Sequence, residues 1–314
     1  MSYCINPKCK TPENCDRAQN CHSCGTALLI ADRYRIIHPV RSTNPALPTE
    51  IFAVADWGTE ENQWGTVKVL KVLKYTHYPP LIRLFKQEAR TLIWLAGSSG
   101  IPQVEPDGYF TIQLPHQSQK LSCLVMEKIE GETLAAFLNK NHHISPKLAL
   151  NWLTQLTHIL HKIHQYNLVH RDIKPSNLML QPDGKLRLID FGAVGEAGID
   201  TTPIGSPGYS APEQIIGKAE LRSDFFALGR TFVHLLTGTP PIDFPTDETT
   251  GKINWRNPAV QLNGLLAYFL DELMEPLPEK RPKNTQVILE KLKTISLRSP
   301  AQNPTKFPTS INLF

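Results

Sequence analysis

The chain has 314 residues, of which 41% are hydrophobic and 20% charged, with a formal net charge of +4. That balance excludes disordered and fibrous classes, and basic residues scattered among acids give no reason to expect nucleic acid or a membrane as partner. No apolar run is long enough to span a bilayer, and the Met1 region lacks a basic-then-apolar leader, so a soluble cytoplasmic protein is expected.

Five of the six cysteines fall within the first 24 residues. Residues 1–30 carry too few apolar side chains to build a core unaided and need a staple. Cys4-x4-Cys9 and Cys21-x2-Cys24-Gly25 resemble the two knuckles of a zinc ribbon, predicting a small module around a structural Zn2+ held by Cys4, Cys9, Cys21 and Cys24. Cys15 and His22 are spare ligands that leave the fourth position open in the sequence. A redox-active thiol cluster or disulfides are the competing reading, which a reducing compartment disfavours. Four thiolates leave a metal no open position, so no catalytic role is expected for it. Cys123 falls in a predicted strand as a small apolar residue.

From Tyr34 the texture becomes strand-like, with Ile51–Asp56 and Thr66–Leu73 rich in β-branched residues. Leu84, Phe85, Glu88, Leu92 and Leu95 then recur at helical spacing, predicting a helix over Leu81–Ala96 that Gly97 and Gly100 end. Further strands are expected up to Met126. After Gly131 the pattern turns helical, most clearly from Ser145 as N-cap and Pro146 at the first helical position to about His164. Two short strands, Asn177–Leu180 and Lys185–Ile189, flank the turn sequence Pro182-Asp183-Gly184. Helices fill the rest to about Leu292, and residues 296–314, with Pro300, Pro304 and Pro308, read as a tail.

Chemistry enters at His170-Arg171-Asp172-Ile173-Lys174-Pro175-Ser176-Asn177, which has the spacing of a phosphoryl-transfer catalytic loop. A carboxylate at Asp172 orients an incoming hydroxyl and accepts its proton, Lys174 neutralises charge on the transferred group, and Asn177 offers an oxygen to Mg2+. Asp190-Phe191-Gly192 follows the second hairpin strand, where a carboxylate can bridge metal and phosphates, and Ala211-Pro212-Glu213 lies an activation loop's length beyond. Each residue alone is an ordinary loop or turn residue. The ordered set is specific.

With those motifs in place, residues 33–295 resemble a eukaryotic-type protein kinase domain, and together with the cysteine-rich front they resemble the cyanobacterial serine/threonine kinases bearing an N-terminal four-cysteine module. The resemblance implies an α+β bilobal fold, with a small β-rich lobe over 33–127 holding one main helix and a larger helical lobe over 131–295. It implies an enzyme that uses ATP and Mg2+ (or Mn2+) to phosphorylate protein serine and threonine hydroxyls, with Asp172, Lys174, Asn177 and Asp190 as the catalytic set. In that frame Lys71 is the strand lysine that meets the nucleotide's phosphates, with Lys68 and Lys74 as rivals, and Glu88 is its helix partner. Met126 stands behind the adenine, and Glu127 to Ile129 form the hinge that meets it. His170 and Phe191 stack with Leu92, Ser206 keeps the hydroxyl that meets the catalytic base, Glu213 pairs with Arg281, and Asp224 anchors the catalytic loop. Arg171 implies regulation by a phosphorylated loop, with Thr201 and Thr202 as candidate phosphosites. The cysteine module would serve docking or regulation.

One departure stands out. The stretch that should cover the phosphates with Gly-x-Gly-x-x-Gly runs from His38 to Glu50 with no glycine and with Pro39, Pro45 and Pro48, each without an amide donor. Either that loop is swung aside, or Arg41, Ser42 and Thr43 replace the missing amides with side-chain contacts. The first alternative leads to a pseudokinase scaffold that binds partner proteins. The intact acidic set favours retained catalysis.

Overall fold

The computed structural model describes residues 1–42, 44, 46–58, 65–75, 77–115, 120–199, 203–256 and 264–298. In chain order, β1 (Ser2–Tyr3) and β2 (Glu13–Asn14) pair with each other, and β3 (Leu29–Ile30) leads into β4 (Tyr34–Pro39), β5 (Thr49–Asp56) and β6 (Thr66–Leu73). After α1 (Pro79–Trp94) come β7 (Tyr109–Gln113) and β8 (Lys120–Glu127), and together these give an antiparallel sheet in the order β3-β4-β5-β6-β8-β7. The helical part follows with β9 (Glu132–Thr133), α2 (Leu134–Asn141), α3 (Pro146–His164), β10 (Leu168–Val169), β11 (Leu178–Leu180), β12 (Leu186–Leu188) and β13 (Gly195–Glu196). It closes with α4 (Pro212–Ile215), α5 (Leu221–Thr237), α6 (Gly264–Leu273) and α7 (Thr285–Arg298). Among the described residues no helix is long and apolar enough to cross a membrane.

Local chemistry explains the element ends. Pro79 and Pro80 start α1 two residues before the predicted Leu81, because a missing amide costs nothing in a first turn. Ser145 caps α3 by accepting a hydrogen bond from the Leu148 amide at 3.3 Å, with Pro146 next, as the sequence predicts. In α5 the Ser223 hydroxyl meets the Glu220 amide at 3.0 Å in a capping box, and Gly238 ends the helix in the left-handed region. Gly131, between the two parts of the chain, has φ 131°, and a Cβ there would stand 2.0 Å from the Leu180 carbonyl oxygen. No other residue allows β11 to approach so closely.

The sheet is buried on both faces, and this organises everything around the site. On one face Leu73 and Leu124 join Phe85, Ala89 and Leu92 of α1 in the core that continues through α3 and α5. On the other, Leu70, Val72, Phe52, Val54 and Ile36 form a second core completed by Ile5 and Ile30 from the cysteine-bearing segment. Tyr3 seals it with its ring 5.7 Å from Phe52, and Arg35 of β4 reaches back to the Ser2 hydroxyl and, at 2.6 Å, to the Ala18 carbonyl. The first thirty residues thus roof the sheet that carries the strand lysines.

Candidate active site

The lower half of the site is built on a backbone held in an unfavourable shape. Arg171 and Asp190 adopt left-handed φ values of 67° and 64°, conformations that cost a side-chain-bearing residue energy and persist where the surroundings enforce them. Asp224, fully buried in α5, supplies that enforcement at Arg171: its carboxylate accepts the amides of His170 at 2.8 Å and Arg171 at 2.9 Å. His164 completes the anchor at 2.9 Å.

On this support Asp172 is surrounded by donors. Its Oδ1 accepts the Ser206 hydroxyl at 2.7 Å, while its Oδ2 accepts Lys174 Nζ and Asn177 Nδ2, each at 2.8 Å. Lys174 also reaches Ser206 Oγ at 2.7 Å, closing a triangle between the catalytic loop and the segment before α4. Asn177 sits beside Asp190 because its carbonyl accepts the Ile189 amide at 2.9 Å, as the β11–β12 pairing requires.

The upper half comes from β6 and α1. Lys71 Nζ lies 2.7 and 2.9 Å from the two Glu88 oxygens and 3.0 Å from Asp190 Oδ1, linking both parts of the chain. Burial alone would discourage its charge, but the Glu88 and Asp190 carboxylates outweigh it and hold the ammonium above its usual range. Lys71 in turn pulls Asp190 down to about 2, against the opposing effect of burial. Lys68 instead pairs with Asp56 at 2.7 Å and with Glu105, and Lys74 with Glu50 at 3.4 Å and the Asn44 carbonyl at 2.8 Å. Strand parity separates the rivals: Lys71 alone shares the face that looks toward α1.

His170 and Phe191 meet edge to face at 4.9 Å, in the same core as Leu92. Burial lowers the His170 pKa, so a neutral packing ring fits that position. Met126 and Ile129 line the connection between the two parts of the chain. Between them the Glu127 carboxylate accepts the Gln103 amide at 3.0 Å and the Arg187 guanidinium. Glu213 and Arg281 form a two-pronged pair at 2.6 and 2.9 Å with the Arg281 side chain fully buried.

The described residues of the glycine-free loop contact β5, Lys74 after β6 and the first residues of the chain. The Arg41 guanidinium donates to the Thr49 carbonyl at 3.1 Å, Lys74 ties down Asn44, and Ser42 lines a hollow together with Met1, Tyr3 and Glu13. Thr43 and Pro45 lie outside the described residues, as do Thr201 and Thr202.

Among the described residues, no hydrogen bond reaches Asn177 Oδ1 or Asp190 Oδ2, because the partners of both side chains are all on their other atoms. Two hard oxygens without protein donors among the described residues suit Mg2+. At the other end of the chain, the sulfurs of Cys4, Cys9, Cys21 and Cys24 all lie within 4.8 Å of one another, with Cys4–Cys24 at 3.5 Å and Cys9–Cys21 at 3.6 Å. A disulfide needs about 2.0 Å, whereas Zn–S bonds of about 2.3 Å in a tetrahedron put sulfurs about 3.8 Å apart. The spare ligands are placed elsewhere. Cys15 is exposed, and the His22 ring is engaged by Asn14 Oδ1 at 2.8 Å and Thr11 Oγ1 at 3.4 Å.

Sequence reasoning missed three features. Arg33, Asp56, Lys68, Glu105 and Asp107 form a charge network, signalled only by Asp56 and Lys68 as charges in otherwise apolar strands. The Arg187–Glu127 contact and the buried Gln214 amide left no signal beyond their position beside recognised motifs.

Comparison with known proteins agrees with this geometry. Residues 111–294 match the family model described as protein kinase domain. The chain is 30% identical over 310 residues to serine/threonine-protein kinase B of Synechocystis sp., covering 93% of this chain and 52% of that protein. It is 32% identical over 298 residues to serine/threonine-protein kinase PknA of Nostoc sp., covering 90% of this chain and 50% of the relative. A third relative, serine/threonine-protein kinase C of Synechocystis sp., is 34% identical over 267 residues, covering 81% and 48%. The chain therefore spans about half the length of these relatives. A family match over more than half of the chain, joined by relatives of 30% identity or more that cover most of it, makes this chain a member of the protein kinase family.

Proposed function

We propose that the chain is a serine/threonine protein kinase that transfers the γ-phosphoryl group of ATP to protein hydroxyls. The observation that carries this reading is the convergence of Lys71, Glu88 and Asp190 above with Asp172, Lys174, Asn177 and Ser206 below. Mg-ATP, when bound, supplies the electrophilic phosphorus and the charge that screens it. Asp172 orients the incoming hydroxyl and takes its proton, and Lys174, already next to that carboxylate, stabilises charge on the group in transit. Asn177 Oδ1 and Asp190 Oδ2 would hold the metal. Lys71, fixed in place by Glu88, meets the phosphates, and backbone groups from Glu127 to Ile129 meet the adenine beneath Met126. Lys174 beside the catalytic carboxylate favours serine and threonine as acceptors.

The four cysteines are assigned to a structural Zn2+, because their sulfur spacing fits a closed tetrahedral site. The ribbon-like segment roofs the small lobe, and a regulatory or docking partner is its natural reader. Thr201 and Thr202 are proposed phosphosites, on the strength of Arg171 preceding the catalytic carboxylate.

The test is transfer of labelled γ-phosphate to a generic serine/threonine substrate. Wild type should label serine and threonine, and Asp172→Asn should lose at least about a hundredfold in kcat. An Asp172→Asn protein working at the wild-type rate would refute the assignment. The glycine-free loop favours one second reading, a pseudokinase scaffold, and nucleotide binding separates the two.

A further inference from the structure

Gln214 occupies a position that no motif reading explains. It lies in the short helix α4, directly after Glu213, and is 2% exposed. Its side-chain NH2 lies 2.7 Å from the carbonyl oxygen of Arg171 and 2.7 Å from that of Ile204. The two acceptors belong to different segments. Arg171 leads directly into Asp172, and Ile204 leads through Gly205 into Ser206, whose hydroxyl meets Asp172 at 2.7 Å. One amide therefore bolts together the two backbones whose side chains make the Asp172–Ser206–Lys174 triangle.

The surroundings are built to let it do so. Ser210 Oγ accepts the Ser206 amide at 2.8 Å and itself lies 3.4 Å from the Gln214 nitrogen. A Cβ on Gly205 would stand 2.0 Å from Ser210 Oγ and 3.1 Å from Gln214 Nε2, so only glycine allows the loop to sit this close. The chemistry also fixes the orientation of the amide: two carbonyls can be satisfied only by its nitrogen. Among the described residues its oxygen is left buried without a partner, a cost that a purely packing residue of the same size would avoid.

We infer that Gln214 is a positioning residue for phosphoryl transfer, which holds Ser206 against the catalytic carboxylate by tying the 204–206 segment to the Arg171–Asp172 backbone. The inference rests on the kinase reading above. Methionine at 214 keeps the volume and removes both donors, leaving two buried carbonyls without partners. A misplacement on the order of 1 Å in a catalytic constellation costs roughly a hundredfold.

A kinetic cycle of wild type, Q214M, S206A and the double variant tests the idea, with Mg-ATP and a peptide substrate. Q214M should lose roughly tenfold to a hundredfold in kcat with the KM for ATP within about threefold. Because it acts through Ser206, the double variant should be no slower than S206A by more than about twofold. Losses that multiply, or a Q214M kcat within twofold of wild type, overturn the inference. A second readout needs no activity: amide hydrogen exchange over residues 203–211 should quicken in Q214M while exchange in α3 stays unchanged, and unchanged exchange over 203–211 overturns it too. If Q214M loses the wild-type melting transition, S210A removes the hydroxyl that receives the Ser206 amide and must lower kcat severalfold, again without further loss in the S206A background; an unchanged S210A kcat is then the contrary result. A wild-type protein that transfers no phosphate would sink the kinase reading, while the exchange arm would still decide whether Gln214 holds the two segments.

Discussion

Stripping metal from the four-cysteine cluster should destabilise the whole small lobe. Without a metal to staple it, the segment that ends at Ile30 has no core of its own beyond Cys4, Cys21 and Leu28. Its loss would uncover the sheet face where Ile5 is 2% and Ile30 3% exposed, together with the Tyr3 ring packed on Phe52. Each of the three apolar side chains contributes about 1.5–3 kcal/mol, for a total of about 4.5–9 kcal/mol against domain stabilities of about 5–15 kcal/mol. At about 2 °C or more per kcal/mol, the melting temperature should fall by on the order of 10 °C. The assay is thermal unfolding by circular dichroism before and after chelation, with zinc release followed by a chromophoric dye, and Cys21→Ser as the genetic counterpart. Release of one zinc per chain with an unchanged melting temperature would refute this reasoning, because the roof would then contribute nothing to the sheet. A freshly purified protein without zinc would refute the metal assignment itself.

Three further outcomes follow from the buried charges. Asp56 is held down from the ordinary aspartate value of 3.8 to about 2, because Arg33 and Lys68 overcome a burial effect that alone would raise it. A depressed folded-state value contributes stability that is complete above the unfolded value and is lost as pH falls through the folded one. Asp56→Asn should therefore cost about 2 kcal/mol in denaturant melts at pH 7, and the gap to wild type should narrow between pH 4 and pH 2. Arg281→Met leaves the partly buried Glu213 carboxylate without its ionic partner and should cost about 3 kcal/mol, measured as a lowered urea midpoint. Lys71→Met removes the cation that holds Asp190 low and leaves Glu88 buried without its partner, so phosphate transfer should fall by at least about a hundredfold and the melting temperature at pH 7 should fall as well.

The catalytic loop and the Asp-Phe-Gly turn were legible because the chemistry demands particular residue types at fixed spacing, whereas Asp224 and the Glu213–Arg281 pair came only with the family resemblance those motifs carry. The helix over α3 was legible from its cap and its apolar stripe. The choice among Lys68, Lys71 and Lys74 was not. A half-exposed strand would show its parity as alternation, but Leu70 and Val72 are buried against the roof while Leu73 is buried against α1, so both faces read as apolar. The places of Ser42 and Asn44 were hidden for a related reason: they depend on the hollow beside Met1 and Tyr3 and on Lys74, contacts between segments that no local pattern encodes. Gln214 was invisible because a glutamine's two hydrogen bonds to distant carbonyls leave no periodic or compositional trace.

Mg-ATP binding tests the central claim most directly, since it asks whether this cleft takes a nucleotide despite a loop without glycine. In a thermal-shift titration, wild type should melt higher as Mg-ATP rises, with a gain of about 2.7 kcal/mol once the nucleotide reaches a hundred times its dissociation constant. Asp190→Asn should lose most of that shift. A wild-type melting temperature that stays fixed at millimolar Mg-ATP, or an equal shift in Asp190→Asn, would contradict the account.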